Sequence, residues 1–166
     1  MGMLRRLREW REKRDGTLEG PALHTEELNT EKSSTIATLS ADQTIEHDTT
    51  TIISFDQTEL NQIGFDTTNN QFVAPEDGTY SITADIGLGD DGAEVLLNIR
   101  IDSSSALTED IRQTVNRFET VSTPTKEVEL TAGQAVDVAV RIRTDDTDPS
   151  DILSDANRTF LRVRRV

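Results

Sequence analysis

Residues 55–86 read FDQTELNQIGFDTTNNQFVAPEDGTYSITADI, and the reading of this stretch decides the fold. From Tyr80 the residues alternate: Tyr80, Ile82, Ala84 and Ile86 fall on one side, Ser81, Thr83 and Asp85 on the other. Successive side chains of a strand point to opposite faces, so this segment is a half-buried strand. Just upstream lies a Pro-Glu-Asp-Gly turn. Pro75 fixes φ there and Gly78 allows φ > 0. Phe72–Val73–Ala74 is a buried step before that turn, and Thr67–Gln71 is a second, polar turn entered through Gly64–Phe65. A short apolar strand ends at Phe55.

The pattern continues outward in both directions. Strands are predicted at 35–39, 51–55, 71–74, 80–87, 94–102, 114–121, 126–131, 134–144 and 158–166. The cleanest is 134–144, where Val136, Val138, Val140 and Ile142 oppose Asp137, Arg141 and Arg143. Short strands at even spacing, joined by Gly/Asp/Pro turns, predict an all-β antiparallel sandwich or jelly roll. The span 108–118 is ambiguous. Ile111, Val115 and Phe118 have helical spacing with Thr108 as a cap, but a loop followed by a strand suits a jelly roll better. No repeat is visible, which argues against a propeller or β-helix.

These residues resemble the central signature of C1q/TNF-like jelly rolls. The resemblance is carried by Phe55–Asp56, Phe65–Asp66, Asn70, Phe72, Pro75, Gly78 and Tyr80, with Phe65 where that family usually has Tyr. The stretch 131–142, TAGQAVDVAVRI, is similar to the family's Leu-x-x-Gly-Asp-x-Val strand, with Gln134 in the Asp place. NRTFLRVRRV at 157–166 is similar to its closing strand, with Arg162 where a small residue usually sits. The resemblance implies a jelly-roll head over 35–166, a compact homotrimer and a non-enzymatic role in binding proteins or glycans. Phe72, Tyr80, Phe118 and Phe160 are the aromatic residues available for core and subunit contacts.

Composition sets limits on function. The 166 residues suffice for one domain with an appendage, but aromatics make up only 4%, a thin core that assembly would supplement. Net charge is −14, from 31 acids against 17 bases, so nucleic acid is not an expected partner. Lysine occurs only at Lys13, Lys32 and Lys126. Acid excess with scarce lysine resembles proteins of extreme halophiles, where a carboxylate shell keeps the surface hydrated in salt. An ordinary acidic protein is the alternative. The absence of cysteine excludes disulfides, thiolate metal sites and cysteine nucleophiles.

Residues 1–15 form a separate segment. Its first fourteen residues hold six bases against two acids, a net of +4, so the rest of the chain carries −18. Leu4, Leu7 and Trp10 recur at helical spacing among Arg5 and Arg8, which predicts a short amphipathic helix ending at Asp15–Gly16. Three readings are open: an anchor docking on an acidic protein surface, a membrane-surface helix, or a frayed basic tail. Residues 16–34 read as a linker, broken at Gly20–Pro21. That span resembles the connector before β-structured heads in haloarchaeal virus and prophage surface proteins. No apolar run follows Arg5–Arg6 and none is long enough to span a membrane, so neither a signal peptide nor a transmembrane helix is expected.

Sites for chemistry are sparse. Gly87, Gly89 and Gly92 spell G-x-G-x-x-G, but the following segment reads as a strand, whereas the dinucleotide fingerprint needs a helix. Asp145, Asp146, Asp148 and Asp151 crowd one loop that could suit a hard cation but lacks the EF-hand pattern. Some trimers of the resembled family hold calcium near the apex. An acidic loop without an ion is the alternative. His24 and His47 sit in polar connectors with no nucleophile motif, and Asn157-Arg158-Thr159 is a lone glycosylation pattern. Arg158, Arg162, Arg164 and Arg165 give the last strand a basic edge, which reads equally as a subunit seam or a solvated face.

The expected protein is therefore a non-enzymatic virion surface protein of a haloarchaeal virus: a capsid turret, decoration protein or fibre head. It has no catalytic residues, cofactor or resident metal. Residues 1–15 dock on other virion proteins, and a trimeric head projects outward from a particle assembled in the host cytoplasm. Loops 90–93, 103–110 and 144–155 are the expected tips, where a host-surface glycan or protein is met. The alternatives are a cellular adhesin or assembly module of a halophile and, last, a glycan-active enzyme.

Overall fold

A computed structural model describes residues 11–12, 18–19, 33–89, 94–113 and 119–166. The chain divides into two units, Met1–Glu31 and Lys32–Val166. In the first, β1 (Arg11–Glu12) pairs antiparallel with β2 (Leu18–Glu19). Those two residues of the segment read as a helix are extended here. Leu4, Arg5, Leu7, Arg8 and Trp10 lie outside the described residues, as do His24 and Phe118.

The second unit is built from β3 (Ser34–Thr38), β4 (Gln43–Ile45), β5 (Thr51–Ile52), β6 (Gln57–Asn61), β7 (Phe65–Asp66), β8 (Gln71–Val73) and β9 (Gly78–Gly87). It continues with β10 (Glu94–Ile101), β11 (Ser105–Gln113), β12 (Thr120–Ser122), β13 (Lys126–Leu130), β14 (Ala135–Arg143), β15 (Ser150–Ile152) and β16 (Phe160–Arg165). One sheet runs β12–β9–β16–β3–β6, with β13 also on β9. The other runs β11–β10–β14–β8–β7, with β5 also on β14. A two-stranded pair, β15–β4, is separate from both. All pairings are antiparallel.

The alternation read from sequence decides which faces meet. Tyr80, Ile82, Ala84 and Ile86 of β9 are buried, as are Val136, Val138, Val140 and Ile142 of β14, and all join one apolar cluster with Leu161 and Val163 of β16. Phe72 and Tyr80, both 0% exposed, meet at a tilt of 57° with 5.5 Å between ring centroids, and Phe55 meets Phe65 edge-on at 6.4 Å. The Tyr80 hydroxyl donates to the Glu76 carbonyl at 2.8 Å, so its buried polar end is satisfied.

The turn at Pro75–Gly78 is held from both sides. Asp77 accepts the Ala132 amide proton at 2.7 Å, and Arg165, at the end of β16, pairs with Glu76. A Cβ on Gly78 would sit 3.3 Å from the Arg165 guanidinium, so glycine leaves room for that arginine.

Several expected boundaries differ. Only Thr51–Ile52 of the expected strand 51–55 is paired as a strand. The expected strand 114–121 reduces to Thr120–Ser122, with 114–118 outside the described residues. The span 103–110, read as a loop, is mostly strand: β11 pairs with β10 along its length. Asp102 and Ser103 turn this hairpin with φ of 49° and 58°, a primed-turn geometry that usually advertises itself with glycine. Loop 144–155 contains β15, and β4 and β6 were not read as strands at all.

Replacing Phe72 with Ala removes one ring of this inter-sheet contact, and a loss of about 3–5 kcal/mol of unfolding free energy is expected in a denaturant titration. A loss under about 1 kcal/mol would mean that this pair does not hold the sheets together.

Candidate interaction surface

The two sheets turn very different faces outward. In β16, Leu161 and Val163 point into the core, so Phe160, Arg162 and Arg164 point away from it. Register places Phe160 opposite Asp85 and Thr38, Arg162 opposite Thr83 and Ile36, and Arg164 opposite Ser81 and Ser34. The Arg162 guanidinium carbon lies 5.1 Å from the Phe160 ring centroid, a cation–π contact. The neighbours on β9 are small, so the arginines stand clear of them. Among the described residues, neither Arg162 nor Arg164 has a carboxylate within ion-pair distance. The face's carboxylates lie on β9 and β13: Asp85 is opposite Phe160, Glu127 is opposite Ser81, and Glu129, opposite Thr79, accepts a hydrogen bond from its hydroxyl.

The outer face of the other sheet is internally paired. Arg100 of β10 binds Asp137 of β14 with two hydrogen bonds, at 2.7 and 3.0 Å, and Ser103 adds a third at 2.9 Å. Asp137 is only 4% exposed, so this is a desolvated charge with its full set of partners. Arg143 bridges Asp48 at 2.6 Å and Glu94 at 3.1 Å, and Arg141 approaches Asp48 at 3.7 Å. The Arg143 hydrogen bond, opposed by some desolvation and aided by both arginine charges, holds the Asp48 carboxyl below its ordinary range.

Loop carboxylates are also occupied. Asp56 binds the Ser40 hydroxyl and amide, Asp66 caps the turn through Asn69 and Thr68, and Asp42 accepts the Ser154 amide proton. These hydrogen bonds lower all three carboxyls. Of the crowded aspartates, Asp146 accepts the Asp148 amide proton and Asp151 accepts the Thr44 hydroxyl. Among the described residues no three His, Cys, Asp or Glu side chains gather at metal-binding distance.

Other sequence signals find structural uses. Gly87 and Gly89 let the chain pack closely: a Cβ on Gly87 would lie 2.9 Å from the Cβ of Arg158, and the Gly89 amide donates to Asp151. The next described element is strand β10. His47 Nδ1 accepts the Thr144 amide proton at 3.3 Å and joins two loops. Thr159 of the glycosylation pattern is fully buried, its hydroxyl oxygen bound by the Gly87 amide. A shallow groove beside Ile63, Phe65, Val73 and Pro75 has Asp66 and Glu76 in its walls, but both are committed, to a turn and to Arg165.

Of the residues named from sequence, Phe72 and Tyr80 are therefore interior, while Phe160 is half-buried on an outer face beside Arg162. The basic edge divides. Arg158 pairs with Asp155 and Arg165 with Glu76, which leaves Arg162 and Arg164. The carboxylates of β13 were not singled out in sequence, because Lys126–Leu130 offers no hint of which face its acids share with β16.

No protein-family model matches the sequence, and no curated protein matches it. Solved structures do. Eiger TNF from S. frugiperda is 12% identical, with 81% of this chain and 92% of that chain covered and a TM-score of 0.57. Murine APRIL at pH 5.0 is 13% identical, with 82% and 100% covered and a TM-score of 0.60. Murine APRIL at pH 8.5 gives 13%, 81% and 100%, and 0.57. At this identity the likeness concerns the fold, which is a TNF-like jelly roll.

The lowered carboxyls fix the sign of the acid response. A carboxyl whose native value lies below its unfolded value of about 4 stabilises the native state fully above that pH, and the contribution is lost as pH falls through the native value. The melting temperature should hold between about pH 7 and 5 and drop below about 4; Asp56→Asn should make the drop shallower. A melting series at constant salt checks this, and a temperature that rose on acidification would contradict it.

Proposed function

We propose that the chain is a non-enzymatic structural module that works as a homotrimer and is displayed on the surface of a virus particle from a salt-adapted host. One observation supports the assembly above the others: Arg162 and Arg164 stand beside Phe160 on the central strand of an outer face, without carboxylate partners among the described residues. The opposite sheet has already paired Arg100, Arg141 and Arg143. A face that keeps cations unpaired in a chain of net charge −14 is suited to meeting more of the same acidic surface. The number three follows the C1q/TNF-like resemblance.

In this reading the unit at Lys32–Val166 is the head, and residues 1–15 dock on other virion proteins through Leu4, Leu7 and Trp10, with Arg5 and Arg8 meeting acidic surface. Segments 144–149 and 153–155, beside β15, are free to meet a host-surface glycan or protein. The particle and its salt-adapted host are supported by the acid excess, the scarce lysine and the connector at 16–34.

Light scattering of the full chain in molar salt should return the mass of three chains; the mass of one would overturn the assembly. A chain lacking Met1–Arg14 should keep the oligomer but be missing from purified particles. Normal incorporation of that truncation would remove the docking role from this segment.

A further inference from the structure

We infer that the unpaired arginines of β16 are matched by the carboxylates of β13 on a second copy of this chain. The inference rests on the assembly proposed above and names the side chains that meet in it. The outer face of this sheet is striped. β13 contributes Glu127 and Glu129, β9 contributes Thr79, Ser81 and Thr83 with Asp85 beyond them opposite Phe160, and β16 contributes Arg162 and Arg164. Glu127, Ser81 and Arg164 lie in one cross-strand row. Two strand spacings separate the outer members, about 10 Å between Cα positions, and among the described residues no ion pair joins them.

This arrangement limits what can cover the face. Covering it without matching charges would strand two arginines and the carboxylates of Asp85, Glu127 and Glu129 away from water, a cost that contacts with Phe160 and Ile36 alone would have to offset. A purely acidic partner would satisfy the arginines but oppose Glu127 and Glu129. A partner carrying both stripes satisfies both, and the chain itself is such a surface. The hydroxyl-lined strip of β9 leaves a shallow trough between the stripes in which the long side chains of the neighbour can lie.

Net charge bears on conditions. Two copies at −14 repel each other over long range, and salt screens that repulsion more than it screens pairs in contact. The assembly should therefore tighten, not loosen, as salt rises from low to moderate concentration.

Charge exchange tests the pairing. Arg162→Glu with Arg164→Glu, and separately Glu127→Arg with Glu129→Arg, should each reduce the light-scattering mass to one chain at concentrations where the native sequence is oligomeric. All four changes in one chain should restore the oligomer. Far-UV circular dichroism reports whether each variant keeps its sheets. If both double variants retain the native mass, or if the folded fourfold variant stays a single chain, the pairing is wrong while the oligomer stands. A native chain that is itself monomeric overturns both readings.

A second arm does not depend on those charge changes. The chain has no cysteine, so Glu127→Cys with Arg164→Cys gives one clean pair. Residues two strands apart exceed the Cα separation of about 4.4–6.8 Å that a disulfide spans, so bonding within one chain is excluded. Mild oxidation should give covalently linked chains on a denaturing gel. A lone single-chain band would overturn the pairing.

Discussion

The jelly roll depends on one crossing in its interior. β8 belongs to one sheet and β9 to the other, and Pro75–Gly78 carries the chain between them. Phe72 before the turn and Tyr80 after it pack ring against tilted ring across the core, and the Tyr80 hydroxyl returns to the Glu76 carbonyl. That contact fixes how the sheets face each other. Once Tyr80 points inward, period two sends Ile82, Ala84 and Ile86 inward as well, and Ser81, Thr83 and Asp85 outward. A slip of one residue would bury hydroxyls and a carboxylate and expose four apolar side chains. The same parity passes through the β9–β16 register and decides that Leu161 and Val163 are core while Arg162 and Arg164 are surface.

The arginines then sort by what stands across from them. Arg100 has Asp137 opposite on β14, and Arg143 has Glu94 opposite on β10. Arg162 and Arg164 have threonine, serine and isoleucine. Arg143–Glu94 is exposed and contributes little to folding, while Arg100–Asp137 is desolvated and costly to leave half-made, so this sorting is only partly a matter of stability. It controls which sheet is self-contained and which has charge to offer a neighbour. Gly87, Gly89 and Thr159 look catalytic or modifiable as motifs, yet each is used to bring the chain close to another part of the same unit.

The strands legible in sequence are β3, β8, β9, β10, β13, β14 and β16, most plainly β9 and β14, whose own alternation separates core from water. Their apolar residues state a face without help from a partner. β4, β6, β11 and β15 were illegible because they are short, polar or edge strands whose stability comes from a neighbour far away in sequence. The spacing of Ile111, Val115 and Phe118 even suggested a helix; Ile111 is in β11, paired to β10, while Val115 and Phe118 lie outside the described residues. The basic edge of the C-terminal strand was visible as four arginines. Which two lack partners was not, because that depends on Asp155 and Glu76 being placed beside the other two by turns. Sequence cannot show whether a charge is already spoken for.

The acid excess looks like a uniform shell in composition, but in the structure Asp48, Glu76, Glu94 and Asp137 pair with arginines of the same chain, and other acids fall into two populations. Asp42, Asp56, Asp66, Asp77, Asp102 and Asp155 accept backbone amide protons in turns and loops. An aspartate there replaces water as the acceptor of an amide that no ladder reaches, which suits a chain with many short connections and few aromatic residues. These carboxylates are fixed acceptors whose role survives when salt screens long-range fields, because no ion fits between a donor and an acceptor in contact. Glu127, exposed on its strand face, belongs to the second population, whose role is the field itself. Only that second group can answer a cation on another molecule. The negative charge of this protein therefore holds its loops in one set of residues and addresses neighbours in another, and the stripe on β13 beside the arginines of β16 is where the second role has a direction.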